Sequence, residues 1–170
     1  MPPAVHPASL DQAQLLKQCT MQAGRGTGPG GQHRNRRSTA VTYTHEPSGI
    51  SASASERREQ KANRSMALRR LRLKLAIEVR SPNPRRKPSV LWNTRRAGTK
   101  LPINPKHPDY PALLAEALDV ISEERFDVAA AAGRLHITMS QLTRLARHEP
   151  AAFAAINAGR QERGFPPLRS

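Results

Sequence analysis

Residues 40–79 read AVTYTHEPSGISASASERREQKANRSMALRRLRLKLAIEV, and this stretch decides the fold. The run 40–45 is β-branched and aromatic, Glu46-Pro47-Ser48-Gly49 has turn composition, and residues 50–54 alternate, so 40–54 is expected to form a β-hairpin. Residues 56–79 contain neither Gly nor Pro. Leu68, Leu71, Leu75 and Val79 recur there at helical spacing, while Arg64, Arg69, Arg70, Arg72 and Lys74 fall largely off that stripe. A helix over 56–79 laying its stripe on the hairpin predicts a small α+β domain with a short antiparallel sheet. Upstream, residues 19–23 read as a further short strand. Before it, Ser9-Leu10-Asp11-Gln12 opens a short helix with Ser9 as N-cap and Leu10, Leu15 and Leu16 as its apolar residues.

Downstream the composition changes. Residues 80–108 hold prolines at 82, 84, 88, 102, 105 and 108 among many Arg and Lys. They are expected to form an extended basic linker, with Leu91-Trp92 as its one bulky apolar contact. From Pro111 onward the chain is rich in Ala and Leu and helical, pausing at Phe126, His136 and Glu149-Pro150. The expected organisation is therefore a domain over 1–79, a linker over 80–108 and an all-α module over 109–170.

The chain has 28 Lys+Arg against 13 Asp+Glu, a net charge of +15. So positive a chain attracts polyphosphate. The charge is uneven: +3 over residues 1–55, +12 over 56–100 and zero over 101–170. The nucleic-acid signal therefore lies in the middle third. Cys19 is the single cysteine, which excludes an intramolecular disulfide and an all-Cys metal cage and fits a reducing cytoplasm. No apolar run approaches membrane-spanning length and no signal pattern opens the chain, so a soluble cytoplasmic protein with no membrane partner is expected.

Between the first strand and the hairpin lies GRGTGPGGQHRNRR, residues 24–37, too rich in Gly for a regular element. Residues 26–31 formally match the dinucleotide pattern GxGxxG, which needs an apolar helix after it. Here His33-Arg34-Asn35-Arg36-Arg37 follows and Pro29 interrupts, and no Lys-Ser or Lys-Thr completes a P-loop. The dinucleotide reading fails on both counts.

The same residues resemble the catalytic domain of peptide-chain release factors and their short, stop-codon-independent ribosome-rescue relatives. The likeness begins at Cys19 and runs through GTGPGGQHRNRRSTAV at 26–41, then Tyr43-Thr44-His45-Glu46-Pro47-Ser48-Gly49-Ile50. It continues through ERREQKAN at 56–63 into the basic helix. It implies a ribosome-dependent peptidyl-tRNA hydrolase whose catalytic residues are Gly30, Gly31 and Gln32. The chemistry suits these residue types. A loop entering the narrow RNA cavity of the peptidyl transferase centre needs glycines that allow close backbone approach. An ester carbonyl under attack develops negative charge that a backbone N–H can stabilise. The resemblance assigns that N–H to Gln32, whose side chain positions the attacking water. Asp11 and Glu46 are the nearest carboxylates on the chain, so neither a local base nor a metal site is expected, and no cofactor is implied.

Around the loop, Arg25, Arg34, Arg36 and Arg37 are expected on rRNA or tRNA phosphates, and Asn35 matches the family's Asn that braces the loop. His33 invites a general-base reading because His titrates near neutrality; the family places varied residues there, which favours a His facing RNA or solvent. Arg58, Gln60 and Asn63 match the hairpin-to-helix junction, where structural and RNA-contacting roles both remain open. Lys61, Arg64, Arg69 and Arg70 extend the basic surface along the helix. The rescue relatives carry a basic tail that enters the empty mRNA channel. The corresponding material here is residues 80–100, with Arg80, Arg85, Arg86, Lys87, Arg95, Arg96 and Lys100, although this segment is Pro-broken and followed by more chain. Channel threading and general rRNA adhesion stay open. The implied partners are the ribosome with its peptidyl-transferase rRNA, peptidyl-tRNA, and a methyltransferase acting on Gln32.

Residues 126–145 have the pattern of a helix-turn-helix. Ala131 and Ala132 permit close crossing, Ile137 plugs the turn, and Thr138-x-x-Gln141 is a capping box. The zero charge of 101–170 favours a structural or protein-docking bundle over RNA contact, and RNA contact over sequence-specific DNA binding. Two rival classes accompany the enzyme reading. One is a non-catalytic RNA-binding, ribosome-associated factor, which an intact GGQ disfavours. The other is a transcription regulator resting on the helix-turn-helix alone.

Overall fold

In the computed structural model of the chain, residues 5–24 and 39–169 are described. They form two compact units: Leu10–Leu75, and the chain from Ala76 onward joined by the segment ending at Ser9. The expected α+β class is what the chain adopts, a three-stranded antiparallel sheet followed by an all-α part.

The sheet unit opens with α1, Gln12–Lys17. Its N-cap is Asp11, whose side chain accepts from the Gln14 N–H at 2.7 Å. The cap expected at Ser9 is displaced because Ser9 closes a preceding 3₁₀ turn, Pro7–Ser9. Strands β1 (Cys19–Gly24), β2 (Ala40–His45) and β3 (Ile50–Ala54) pair in that order, with Gly24 opposite Ala40 and Val41 opposite Ala54. β2 alternates as its sequence predicts, turning Val41, Tyr43 and His45 inward, and β3 adds Ala52 and Ala54. Gly49, at φ +71°, takes the left-handed position in the turn between them.

Helix α2 spans Gln60–Glu78, starting four residues later than the composition suggests. Residues 55–59 form a side-chain-braced connection instead. Leu68, Leu71 and Leu75 of the expected stripe are buried with Ala67, whereas Val79 lies past the helix end. Arg70 and Lys74 donate to the Ser53 and Ser51 carbonyls at 2.7 and 2.9 Å, occupying acceptors on the outer edge of β3 that would otherwise invite another strand. Arg72 donates to the Leu10 carbonyl at 2.7 Å.

The helical unit corrects the expectation of an extended linker over 80–108. Ser89 caps a short helix α3, Val90–Arg95, accepting from the Trp92 N–H at 3.0 Å. Trp92 is fully buried and its indole N–H donates to the Leu135 carbonyl at 3.0 Å. Prolines break the segment into short pieces without freeing it. Two carboxylates of α4 (Tyr110–Glu123) hold those pieces. Asp119 accepts from Arg80 at 3.0 Å and from the Ser81 N–H at 3.1 Å, and Glu116 accepts from the Ser89 N–H and Oγ at 2.7 and 2.6 Å. Burial pushes the Glu116 carboxyl above its usual range, against the pull of those bonds.

α4 is the core of this unit, burying Leu113, Leu114, Leu118, Val120 and Ile121. The Tyr110 hydroxyl donates to the Leu145 carbonyl at 2.7 Å, and burial raises its pKa. The expected pauses appear as backbone turns, with positive φ at Phe126 and His136. Asp127 caps α5 (Val128–Arg134), Thr138 caps α6 (Met139–Arg147), and Pro150 begins α7 (Pro150–Glu162). Only half of the expected capping box forms. Thr138 Oγ1 accepts from the Gln141 N–H at 3.2 Å, but the half-buried Gln141 side chain accepts instead from the Leu101 N–H at 3.2 Å. Among the described residues no helix is long and apolar enough to cross a membrane.

Candidate functional site

β1 and β2 are joined by residues 25–39, a 15-residue connection far longer than a hairpin turn. Connections of that length inside a compact unit are uncommon. Gly30, Gly31 and Gln32 fall in it, as do Arg25, Arg34, Asn35, Arg36 and Arg37, with His33; all lie outside the described residues. The structure shows how the two ends of this connection are held.

Gly24 and Ala40 face one another as the last pair of the β1–β2 ladder, so the chain leaves and re-enters the sheet at one place. Asn63, in the first turn of α2, secures the re-entry. It is fully buried, and its Nδ2 donates to the Thr39 carbonyl at 2.7 Å. The same amide donates to the Arg57 carbonyl at 3.0 Å while its Oδ1 accepts from the Arg57 N–H at 3.0 Å. One side chain thus ties together the end of the loop, the connection after β3 and the start of the helix. Both amide protons and the carbonyl are used, which leaves little freedom to flip. The two roles left open for Asn63 resolve here to a positioning one.

Cations gather around this anchor. Arg57, Arg58, Lys61 and Arg64 are all exposed, and Arg64 donates to Gln60 Oε1 at 3.0 Å. Arg57 joins the cations expected from sequence, and its adjacency to Arg58 in ERREQKAN is the signal that marks it. Further along α2 the basic residues have other duties. Arg70 bonds Ser53 and pairs with Glu56 at 2.5 Å, and with the Ser55 N–H it lowers the pKa of the Glu56 carboxyl to about 2. Arg69 is half-buried. In the helical unit Arg85, Arg86 and Lys87 are exposed, whereas Arg95 is matched by Asp109 at 2.6 Å and Arg96 donates to the Gly98 carbonyl at 2.5 Å. The residues expected on RNA therefore divide between the two units.

His45 lies at the end of the sheet remote from the loop, paired with Cys19. It bonds Ser48 Oγ at 2.7 Å and Gln18 Oε1 at 3.0 Å, and burial lowers its pKa. Burial likewise raises the Cys19 thiol, helped by Glu46. Neither group reaches the Gly24–Ala40 end. Among the described residues no cluster of His, Cys, Asp and Glu could hold a metal ion.

A family model, RF-1 domain, matches residues 13–100, more than half of the chain. The chain belongs to the RF-1 domain family. Proteins of this family, the GGQ-containing class I release factors, hydrolyse peptidyl-tRNA on the ribosome. A release-factor-like role in translation follows for this chain. Comparison with curated proteins gives no match. The RF-1 match covers the whole β1–β2 connection and α2, and it extends past the sheet unit to Lys100.

Proposed function

We propose that this RF-1 domain protein hydrolyses the ester bond of peptidyl-tRNA on stalled ribosomes without reading a stop codon. The observation that carries the reading is the anchored connection: in sequence, Gly30-Gly31-Gln32 falls near the middle of 15 residues whose ends are held by the Gly24–Ala40 pair and by Asn63. A reactive tip on a firmly held base is what catalysis by positioning requires. Stop-codon independence rests on the resemblance to the short rescue factors, in which a basic segment follows the GGQ domain as residues 80–100 follow it here.

In the proposed reaction, water adds to the ester carbonyl carbon and the Gln32 backbone N–H stabilises the charge on the carbonyl oxygen. The bond to the ribose oxygen of the tRNA then breaks. That oxygen takes a proton, and the peptide leaves with a free carboxyl group. The Gln32 side chain positions the water, and rRNA supplies the remaining groups. In this reading residues 1–79 are the catalytic domain. Arg25, Arg34, Arg36 and Arg37 with Arg58, Lys61, Arg64 and Arg69 contact RNA phosphates, a methyltransferase modifies Gln32, and the protein works in the cytoplasm.

The test is peptide release from ribosomes carrying peptidyl-tRNA, with the mRNA channel empty or filled. Gln32→Ala and Gly31→Ala should retain ribosome binding and lose release, the first by misplacing water and the second by adding a Cβ to the approaching backbone. Wild-type release by both variants on saturating ribosomes refutes the assignment. Binding without release by the wild-type protein, in either channel state, means a non-catalytic ribosome-associated factor.

A further inference from the structure

The zero net charge of residues 101–170 argues against RNA binding by the helix-turn-helix, but the tertiary structure redistributes that charge. Residues 79–108 contain no Asp or Glu, and neither do residues 128–148. Four hydrogen bonds fasten these two acid-free segments together, one of them from Arg134 to the Arg85 carbonyl at 2.5 Å. Trp92 Nε1 donates to the Leu135 carbonyl at 3.0 Å, the Thr138 N–H to the Thr99 carbonyl at 3.1 Å, and the Leu101 N–H to Gln141 Oε1 at 3.2 Å. The tight turn closed by the Ala97–Lys100 bridge, with Gly98 at φ +58°, is thereby seated beside the start of α6.

Glu149 follows α6 two residues after Arg147, and four other acids of the helical unit are matched by cations outside α6. Asp109 pairs with Arg95, Asp119 with Arg80, and Glu123 and Glu124 with Arg134. α6 buries Leu142, Leu145 and Ala146 and turns Ser140, Thr143, Arg144 and Arg147 outward, at the i, i+3, i+4, i+7 spacing of one helix face. Arg147 donates to the Arg169 carbonyl at 2.8 Å, which leaves its charge uncompensated. Among the described residues no carboxylate pairs with Arg96, Lys100, Arg144 or Arg147.

We propose that the outward face of α6 and the adjoining Ala97–Lys100 turn form a second RNA-binding surface, separate from the GGQ loop, that grips the phosphate backbone of double-helical RNA. Hydroxyls and cations are the side chains that bond phosphate oxygens. The residue best suited to read a base edge, Gln141, is instead committed to the Leu101 amide. Backbone contact is thus favoured over sequence reading, and the deep, narrow RNA major groove excludes a helix in any case. The choice of RNA over DNA rests on the proposed ribosomal function.

The test uses full-length protein with a 20-bp RNA hairpin, a DNA duplex of the same sequence, and intact ribosomes. Lys100→Ala/Arg144→Ala/Arg147→Ala should weaken hairpin binding by about tenfold or more at 0.15 M salt. It should also flatten the slope of log affinity against log salt by about 2–3, because each lost phosphate contact releases about one counterion fewer. Arg144→Lys/Arg147→Lys should retain most of the affinity, separating charge from fold. A photocrosslinker at position 140 should label rRNA in the ribosome complex. Three results overturn the proposal: unchanged hairpin affinity and slope in a folded triple variant, loss of DNA binding alone, or crosslinks confined to ribosomal proteins. Gln32→Ala should bind the hairpin like the wild type. Absence of peptide release together with a triple-variant binding defect would therefore sink the hydrolase reading and leave this surface standing.

Discussion

Replacing Trp92 measures whether residues 80–100 are a fold element or a tether. Its indole is fully buried, and its N–H satisfies the Leu135 carbonyl from 43 positions away. Removing a buried Trp side chain costs about 3–5 kcal/mol through lost transfer energy and the cavity left behind. Trp92→Ala should therefore destabilise the helical unit by about 3–4 kcal/mol, a large share of the ~5–15 kcal/mol of a typical domain. Trp92→Phe keeps most of the apolar volume and strands the Leu135 carbonyl, which predicts a smaller loss of about 1–2 kcal/mol. The readout is convenient because Trp92 is the only tryptophan in the chain. In the wild type its fluorescence follows the helical unit alone while far-UV circular dichroism follows both units, and the variants are read by circular dichroism. With a urea slope of about 2 kcal/mol per molar, Trp92→Ala should move its transition down by roughly 1.5–2 M. A shift below about 0.5 M, corresponding to ~1 kcal/mol at that slope, would show that α3 is not docked and that the segment is a linker after all.

Asn63→Ala should destabilise the sheet unit by about 2–4 kcal/mol, since three hydrogen bonds go and the Thr39 and Arg57 backbone groups lose their partner. Asn63→Asp, which keeps the acceptor and loses both donors, should slow peptide release more than it weakens ribosome binding; equal effects on both would remove the positioning role. His45 titrates below its ordinary value of about 6.5, so the unfolded chain takes up that proton first. Its contribution is intact above pH ~6.5 and lost as the pH falls below that, so the urea midpoint should drop between pH 7.5 and 5.5, and His45→Gln should make the drop smaller. Gly159 leaves no room for a Cβ against the Phe126 ring, and Gly159→Ala should cost about 1–3 kcal/mol by overpacking, measured by thermal unfolding.

The sequence alone determined the elements whose signals are local. The alternation of β2, the turn at Gly49, the Leu68, Leu71 and Leu75 stripe, the Thr138 cap and the breaks at Phe126 and His136 each arise within a few residues. So did membership of the RF-1 domain family, because the GGQ stretch and ERREQKAN are contiguous strings. The boundary of α2 slipped by four residues because Asn63 braces residues 55–59 through bonds that propensity does not register. Tertiary structure decided the rest. Proline-rich, cationic residues 80–108 have the composition of a tether, yet Trp92, Asp119 and Glu116 hold them through pairings 27 to 43 positions apart. Burying a single indole and satisfying one buried and one half-buried carboxylate outweighs the local preference for extension. The same long-range pairing sets the electrostatics. A charge sum over consecutive residues averages Asp109, Asp119, Glu123 and Glu124 with the cations of α6, whereas the fold pairs those acids with Arg80, Arg95 and Arg134 and leaves Lys100, Arg144 and Arg147 without a carboxylate partner among the described residues. Coulomb interactions depend on distance in space, and distance along the chain is a poor guide to that once the chain has folded.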